Sequence, residues 1–241
     1  MRHGTLLLFG LLPVLACAPK GTRPHDMGQA RHEAEAAKEE QAAAAHAEQY
    51  HPSAKVAVTR CGPSWSSHGY PSCWTSVTNP TEEHRRAADR ALRVAAAHRE
   101  ASAALAAAEE QACKGIAPED RAISPFQHTE DIATVEPHLR RTGGRAGGSV
   151  LDGATVTFLA RPGMTAEWLQ REVDCHLARN AALGHDVPEM PDCPLVPNGA
   201  RAQVSSMGNG FAVTVWADDA EARKEILARA QRLLPAPAGT K

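Results

Sequence analysis

The stretch NPTEEHRRAADRALRVAAAHREASAALAAAEEQACKG, residues 79–115, decides the first half of the fold because it carries both ends of a long helix. Asn79 is a favourable N-cap, Pro80 suits the first helical position, and Glu82 has the spacing of a capping box. Gly115 is expected to end the helix. About 34 helical residues at ~1.5 Å each make a rod of about 50 Å.

A seam of mostly small residues runs along this helix at heptad spacing. Its members are Ala87, Ala91, Val94, His98, Ala101, Leu105, Ala108 and Ala112. Two helices that meet on alanine approach closely, so the seam favours an antiparallel partner over the alternative of a solvated single helix. The candidate partner runs from Met27 to Tyr50 and is rich in strong helix formers. It ends at His51-Pro52, because the residue before proline avoids the helical region.

The partner helix has a stripe of residues at alternating spacings of three and four. The loop between the helices, here called the tip, has the pattern of two strands closed by a disulfide. The stripe is Met27, Ala30, Ala34, Ala37, Gln41 and Ala44. In the tip, residues 51–78, two short strands are predicted at 56–61 and 75–78, with turn residues between them. A Cys61–Cys73 disulfide would close this loop and remove about 3 kcal/mol of loop entropy. The sequence therefore predicts a helical hairpin over 26–115.

Aromatic residues concentrate in the tip loop. Trp65, Tyr70 and Trp74 are a large share of the aromatics of the chain. Exposed aromatics on a loop that is closed by a disulfide are typical of binding hot spots, and we take these three as the candidate interaction residues. The alternative is that they pack over the disulfide.

The last part of the chain has the pattern of a small α/β domain over residues 150–234. A half-buried strand is predicted at 154–160, a helix capped by Thr165 and ended by Gly184 follows, and two strands flank Gly208-Asn209-Gly210. A final helix begins after Asp218. This β-α-β-β-α order is similar to half of a ferredoxin-like sandwich, in topology only. Residues 116–149 are predicted to be a connector and 235–241 a flexible tail, so the fold class is α+β.

Cysteines suggest two local disulfides. Cys61–Cys73 and Cys175–Cys193 are the simplest pairs and leave Cys113 single, although sequence does not exclude other connectivities. If the second pair were free thiols, they would join His176, His185 and Met190 as a copper-type ligand set. The metal-binding alternative depends on that condition.

The first residues have the pattern of an export signal. An apolar run from Leu6 to Leu15 follows the positive charge of Arg2 and is too short to span a bilayer, which takes about 20 residues. It ends in Val14-Leu15-Ala16-Cys17, which resembles the lipobox of bacterial lipoproteins. That resemblance implies a signal peptide over 1–16, lipid (palmitate among the acyl chains) on Cys17, a tether over 17–25, and a periplasm-facing position at the cell outer membrane, since residue 18 is not aspartate.

Composition and motifs argue against several classes of function. The net charge is −2 and there is no basic stripe, so nucleic acid is not an expected partner. A polar cluster of His128, Glu130, Asp131, Glu136 and His138 offers acid–base or metal chemistry, but is more typical of a solvated face. We expect a non-enzymatic envelope lipoprotein with a structural or protein-interaction role, no cofactor, and an envelope protein or the cell wall as partner. The alternative is a small-ligand or metal-binding lipoprotein.

Overall fold

The computed structural model describes residues 19–62, 72–143 and 147–234, and within them the chain is a mixed α+β protein with four helices and two antiparallel sheets. The elements, in chain order, are α1 (Gln29–Gln49), β1 (Val56–Gly62), β2 (Ser72–Thr78), α2 (Glu82–Ala112), β3 (Ile132–Arg141), β4 (Ser149–Leu159), α3 (Ala166–Ala182), β5 (Arg201–Met207), β6 (Gly210–Trp216) and α4 (Ala220–Arg232). The predicted lipidation site Cys17, the aromatics Trp65 and Tyr70, and the tail 235–241 lie outside the described residues.

Helices α1 and α2 pack against each other in opposite directions. His32 of α1 contacts His98 of α2, and His46 contacts His84, so residue numbers rise on one helix as they fall on the other. On the exposed side of the pair, the guanidinium of Arg99 on α2 donates hydrogen bonds to the carboxylates of Glu33 and Glu40 on α1.

Four of the eight residues of the predicted seam on α2 are buried, and the predicted stripe on α1 is wrong. On α2 the buried residues are Ala88, Ala91, Ala95, His98, Ala101, Ser102 and Leu105, four of which belong to the predicted seam. On α1 the buried residues are His32, Ala36 and Ala43, none of them in the predicted stripe. Alanine occupies nearly every face of α1, so the spacing of alanines there does not identify the buried face.

The start of α2 also differs from the prediction. Thr81, not Asn79, is the N-cap, and its side chain makes no capping bond. Instead the Asn79 side-chain oxygen accepts from the Thr81 backbone N–H at 2.8 Å, while its amide donates to the His51 carbonyl at 2.8 Å. Asn79 therefore joins the end of the ribbon to the chain that leaves α1.

The second sheet has the strand order β3-β4-β6-β5, and every neighbouring pair is antiparallel. Strand β3 lies in the segment 116–149 that was predicted to be a connector, which is a correction. It is an edge strand, and this position tolerates Pro137, which cannot donate a ladder hydrogen bond. Phe126 is also buried in the main core, so the C-terminal domain begins before residue 150.

Helices α3 and α4 cover one face of this sheet and form the main core. The largest fully buried side chains there are Phe126, Leu169, Leu195, Ile226, Val156, Val173, Val213 and Val215. The opposite face is polar: a row of directly paired residues crosses it, namely Glu136, Thr155, Thr214 and Gln203. In the parts of the chain that the structure describes, no helix has both the length and the apolar character needed to cross a bilayer.

One of the two predicted disulfides is confirmed and the other is wrong. Cys61 is bonded to Cys73, as predicted. Cys175 is bonded to Cys113 and not to Cys193, which is a buried free thiol. The reason is long-range: the last turn of α2 packs against α3, where Arg179 pairs with Glu109 at 3.1 Å, and this places the two sulfurs together.

Candidate functional site

Strands β1 and β2 form a two-stranded ribbon at the far end of the α1–α2 pair. Their register runs from Val56 opposite Thr78 to Gly62 opposite Ser72. An isolated two-stranded hairpin is at best marginally stable in water. Here the Cys61–Cys73 bond links directly opposed residues, and the hydroxyls of Thr59 and Thr75 lie 2.9 Å apart. The cross-link is what allows so small a sheet to stand alone.

Most residues of the ribbon are exposed, and no other described strand or helix covers it. Val77 is 67% exposed and Trp74 is 54% exposed, with the Trp74 ring beside Gly62. Each strand pairs only with the other, so both outer edges keep backbone groups without a ladder partner among the described residues. Of the three predicted interaction residues, Trp74 is the one whose place is described, and it is exposed.

The ribbon is held far from the rest of the molecule. Gly28, at the start of α1, contacts Gly184 at the end of α3. The 21 residues of α1 then carry the chain about 32 Å away before the ribbon begins. The ribbon therefore lies at the opposite end of α1 from the point where the N-terminal segment meets the C-terminal domain.

A cavity of about 450 Å³ is the second candidate site. It lies between residues 115–131, strand β4 and helix α3. Most of its lining is apolar and consists of Ile116, Ile123, Pro125, Phe158, Met164, Trp168 and Leu169. Three carboxylates, those of Asp120, Asp131 and Glu172, also line it. An apolar pocket of this size with a few convergent polar groups has the dimensions of a small-molecule site.

Glu172 is the unusual carboxylate of the cavity. Its residue is 9% exposed, and no donor among the described residues bonds its side chain. Burial raises the pKa of Glu172, the nearby Asp120 carboxylate raises it further, and the charge of Arg171 partly offsets both effects. Asp131 differs because the Arg161 Nε donates to it at 2.6 Å. The sequence carried a signal for Glu172, which stands between Leu169 and Val173 on the buried face of α3, but this signal was missed.

The predicted polar cluster is divided between two places. His128 and Asp131 line the cavity, and His128 lies 3.2 Å from the Glu130 carboxylate. Glu136 and His138 lie on strand β3, where they pair with Thr155 and Gly153 of β4. The cluster therefore does not form one ligand set.

The copper-type set is not assembled either. The Cys175 sulfur is bonded to Cys113 and is not available as a thiolate. His185 bonds the Val196 carbonyl through its Nδ1 at 2.8 Å, and burial lowers its pKa. Burial raises the pKa of the Cys193 thiol. Over the residues that can be described, no group of three or more His, Cys, Asp or Glu side chains is placed to hold a metal ion.

Two histidine pairs cross the α1–α2 interface, and sequence analysis found only one of their four members. The Nδ1 atoms of His32 and His98 lie 3.0 Å apart in a buried position, and those of His46 and His84 lie 3.4 Å apart in a half-buried one. The pairs are separated by two heptads on both helices. At this distance one ring of each pair donates its N–H to the other, so each histidine fixes the register of its partner.

Comparison of the chain with protein-family models, with curated proteins and with solved structures finds no match.

Proposed function

We propose that the protein is a non-enzymatic lipoprotein of the cell envelope that binds another envelope protein through the ribbon formed by β1 and β2. Lipid on Cys17 would anchor it to the outer membrane, on the periplasmic side, and no cofactor is required. The pattern Val14-Leu15-Ala16-Cys17, which ends a short apolar run, supports this membrane location.

The architecture we infer is a helical hairpin that carries the ribbon away from a small domain. The opposed contacts of α1 and α2 support the hairpin. The strand order β3-β4-β6-β5, with α3 after β4 and α4 after β6, supports a ferredoxin-like sheet. Its edge strand β3 is the first of the four along the chain. Because such sheets serve many functions, the ribbon is the better guide to what this protein does.

The observation that carries the proposal is that the ribbon is cross-linked, that Trp74 and Val77 are exposed on it, and that no described strand pairs with either of its edges. A covalent bond that holds exposed Trp74 and Val77 in place reduces the entropy lost when a partner binds them. The open edges offer backbone groups to an extended segment of the partner, which would add as a further strand. The described part of the ribbon carries Arg60 and no carboxylate, and Lys55 directly precedes it, which favours a neutral or acidic partner surface.

The proposed cleavage and lipidation at Cys17 are tested by mass spectrometry of the N-terminal peptide from protein extracted from its native membrane. We expect a chain that begins at Cys17 and carries acyl groups. A Cys17→Ser variant should remain uncleaved and carry no lipid. An unmodified chain that begins upstream of Cys17 would reject the lipoprotein assignment without affecting the ribbon proposal.

The interaction is tested by site-specific photo-crosslinking in intact cells. A photoreactive residue at Val77 or at Trp74 should give the same cross-linked envelope protein, identified by mass spectrometry. The matched control is the same residue at Arg93, an exposed position on α2 remote from the ribbon. Equal cross-linking from Arg93 and from the ribbon, or no cross-link from either ribbon position, contradicts the proposal.

The disulfide provides a second comparison. In a Cys61→Ser, Cys73→Ser double variant the cross-link from Val77 should weaken at least tenfold, because the ribbon loses about 3 kcal/mol of stabilisation. Circular dichroism should show the helices intact, since the ribbon makes its strand contacts within itself. Undiminished cross-linking would mean that an ordered ribbon is not what the partner recognises.

A second candidate function, binding of a small ligand by the C-terminal domain, is favoured by the cavity beside Glu172.

A further inference from the structure

We propose that the cavity between residues 115–131 and helix α3 binds a small amphipathic cation, an apolar group that carries one protonated amine, with the Glu172 carboxylate as its counter-charge. This inference concerns the C-terminal domain and does not depend on the ribbon or on the lipid anchor.

The shape and the lining of the cavity select an apolar group. Its volume of about 450 Å³ is within the range of roughly 300–1,000 Å³ that is common for ligand sites. Phe158 and Leu169 close the floor and are nearly fully buried. A hydrocarbon ring or short chain would replace water on these surfaces, which is favourable in proportion to the apolar area removed from water.

The charges of the cavity select a cation. Glu172 is about nine-tenths buried, no donor among the described residues hydrogen-bonds its carboxylate, and the charge of Arg171 acts on it without a hydrogen bond. Asp120 adds a second negative charge, whereas the Asp131 carboxylate is already paired with Arg161. A ligand ammonium group would supply the missing partner, and a ligand carboxylate would be repelled.

The cavity is open to solvent on one side. Trp168 is 45% exposed and Ile123 is 42% exposed, although both line the cavity. Large apolar side chains left partly in water at a rim are covered when a ligand enters. The position of Trp168 also provides a readout, because its fluorescence should respond to occupancy.

Three probes of one shape and different charge test the proposal: cyclohexylmethylammonium, cyclohexylmethanol and cyclohexanecarboxylate. The purified protein is titrated with each, and binding is followed by tryptophan fluorescence and by ligand-observed NMR. We expect the ammonium probe to bind at least tenfold more tightly than the alcohol, and the carboxylate most weakly. Equal affinity for the three probes, or no binding of the ammonium probe, overturns the proposal.

Two variants locate the site. Glu172→Gln keeps the shape of the side chain and should weaken ammonium binding at least tenfold while leaving alcohol binding unchanged. The matched control Asp174→Asn removes a carboxylate from the exposed side of the same helix and should change neither. Ala117 also lines the cavity, so Ala117→Phe should fill it and abolish binding of all probes. Ammonium binding that survives Glu172→Gln or Ala117→Phe without loss overturns the assignment.

Discussion

Gly28 and Gly184 bring two backbones into direct contact where α1 begins and α3 ends. A Cβ on Gly28 would lie 2.6 Å from the Gly184 nitrogen, and one on Gly184 would lie 2.8 Å from the Gly28 nitrogen. Gly184 also has a φ of +74°, in the left-handed region that favours glycine. At the residue scale, this contact sets how closely the helical pair approaches the C-terminal domain.

Gly184→Ala should therefore destabilise the protein for two reasons. The left-handed backbone disfavours a Cβ by roughly 1–2 kcal/mol, and the clash with Gly28 adds about 1–3 kcal/mol. Gly163→Ala is the matched control, because Gly163 has a φ of +86° and nothing within 4 Å of its Cβ position. Urea unfolding should show the larger loss for Gly184→Ala. Equal losses would mean that the backbone contact does not contribute.

His176 gives a second prediction at the residue scale. It is fully buried on α3, neither ring nitrogen has a hydrogen-bond partner of good geometry among the described residues, and burial lowers its pKa against the smaller opposing effect of the Ile123 backbone. As pH falls below the ordinary histidine pKa of about 6.5, the unfolded chain gains a proton that the folded protein does not take up. Stability that is present above that pH is therefore lost as pH falls toward the lowered pKa of the folded state.

We expect His176→Leu to make this loss shallower. The measurement is the free energy of unfolding in urea at pH 7.5 and at pH 5.5, for the wild type and the variant. His51→Gln, at an exposed position, serves as the control and should keep the wild-type difference between the two pH values. A His176→Leu variant that loses as much stability as the wild type would show that the imidazole does not drive the acid sensitivity.

At the scale of elements, the α1–α2 interface depends on polar pairs because alanine contributes little buried area. His32 and His98 bond each other in a buried position, and the Nε2 of His32 has no hydrogen-bond partner among the described residues. Removal of one ring leaves the other without any partner, which typically costs about 1–3 kcal/mol. Removal of both should cost little more than removal of one.

A double-mutant cycle tests this coupling. His32→Ala and His98→Ala should each destabilise the protein, and the double variant should lose clearly less than the sum of the two. The half-buried pair His46 and His84 should show a smaller coupling in the same cycle. Additive losses at His32 and His98 would indicate that the two rings act independently.

Elements that depend on neighbouring residues could be predicted from sequence, and those that depend on distant contacts could not. Thr165 caps α3 by accepting from the Trp168 N–H, as its position before an apolar stripe predicted. Strand β3 was missed because Pro137 and its charged neighbours are typical of a loop, and only the pairing with β4 reveals an edge strand. The cavity was missed for the same reason, since residues 115–131 meet α3 only in the folded chain.

At the scale of the whole molecule, the Cys113–Cys175 disulfide is a covalent cross-link that joins the end of the helical pair to the C-terminal domain in addition to the main chain. The two residues are 62 positions apart and both are fully buried. Sequence reasoning favoured the shorter Cys175–Cys193 loop because nothing local indicates that α2 ends beside α3. In the chain-entropy description, a loop of this length contributes about 4 kcal/mol.

A Cys113→Ala, Cys175→Ala double variant should consequently lose up to about 4 kcal/mol of stability. Thermal unfolding followed at the helices and at Trp216 of β6 should separate into two transitions, because the helical pair can then melt before the sheet. Cys193→Ala removes the remaining buried thiol and is the control, with one transition retained. A single unchanged transition in the double variant would show that packing alone couples the two parts.

The position of this disulfide also determines how the molecule would bear a mechanical load. A load applied between the ribbon and the C-terminal domain passes along α2 to Cys113, which follows the last residue of that helix and is bonded to Cys175. On α1 the same load meets the non-covalent contact of Gly28 with Gly184. Tension of this kind would therefore be carried mainly by α2, whereas tension between the ribbon and a lipid on Cys17 would pass along α1.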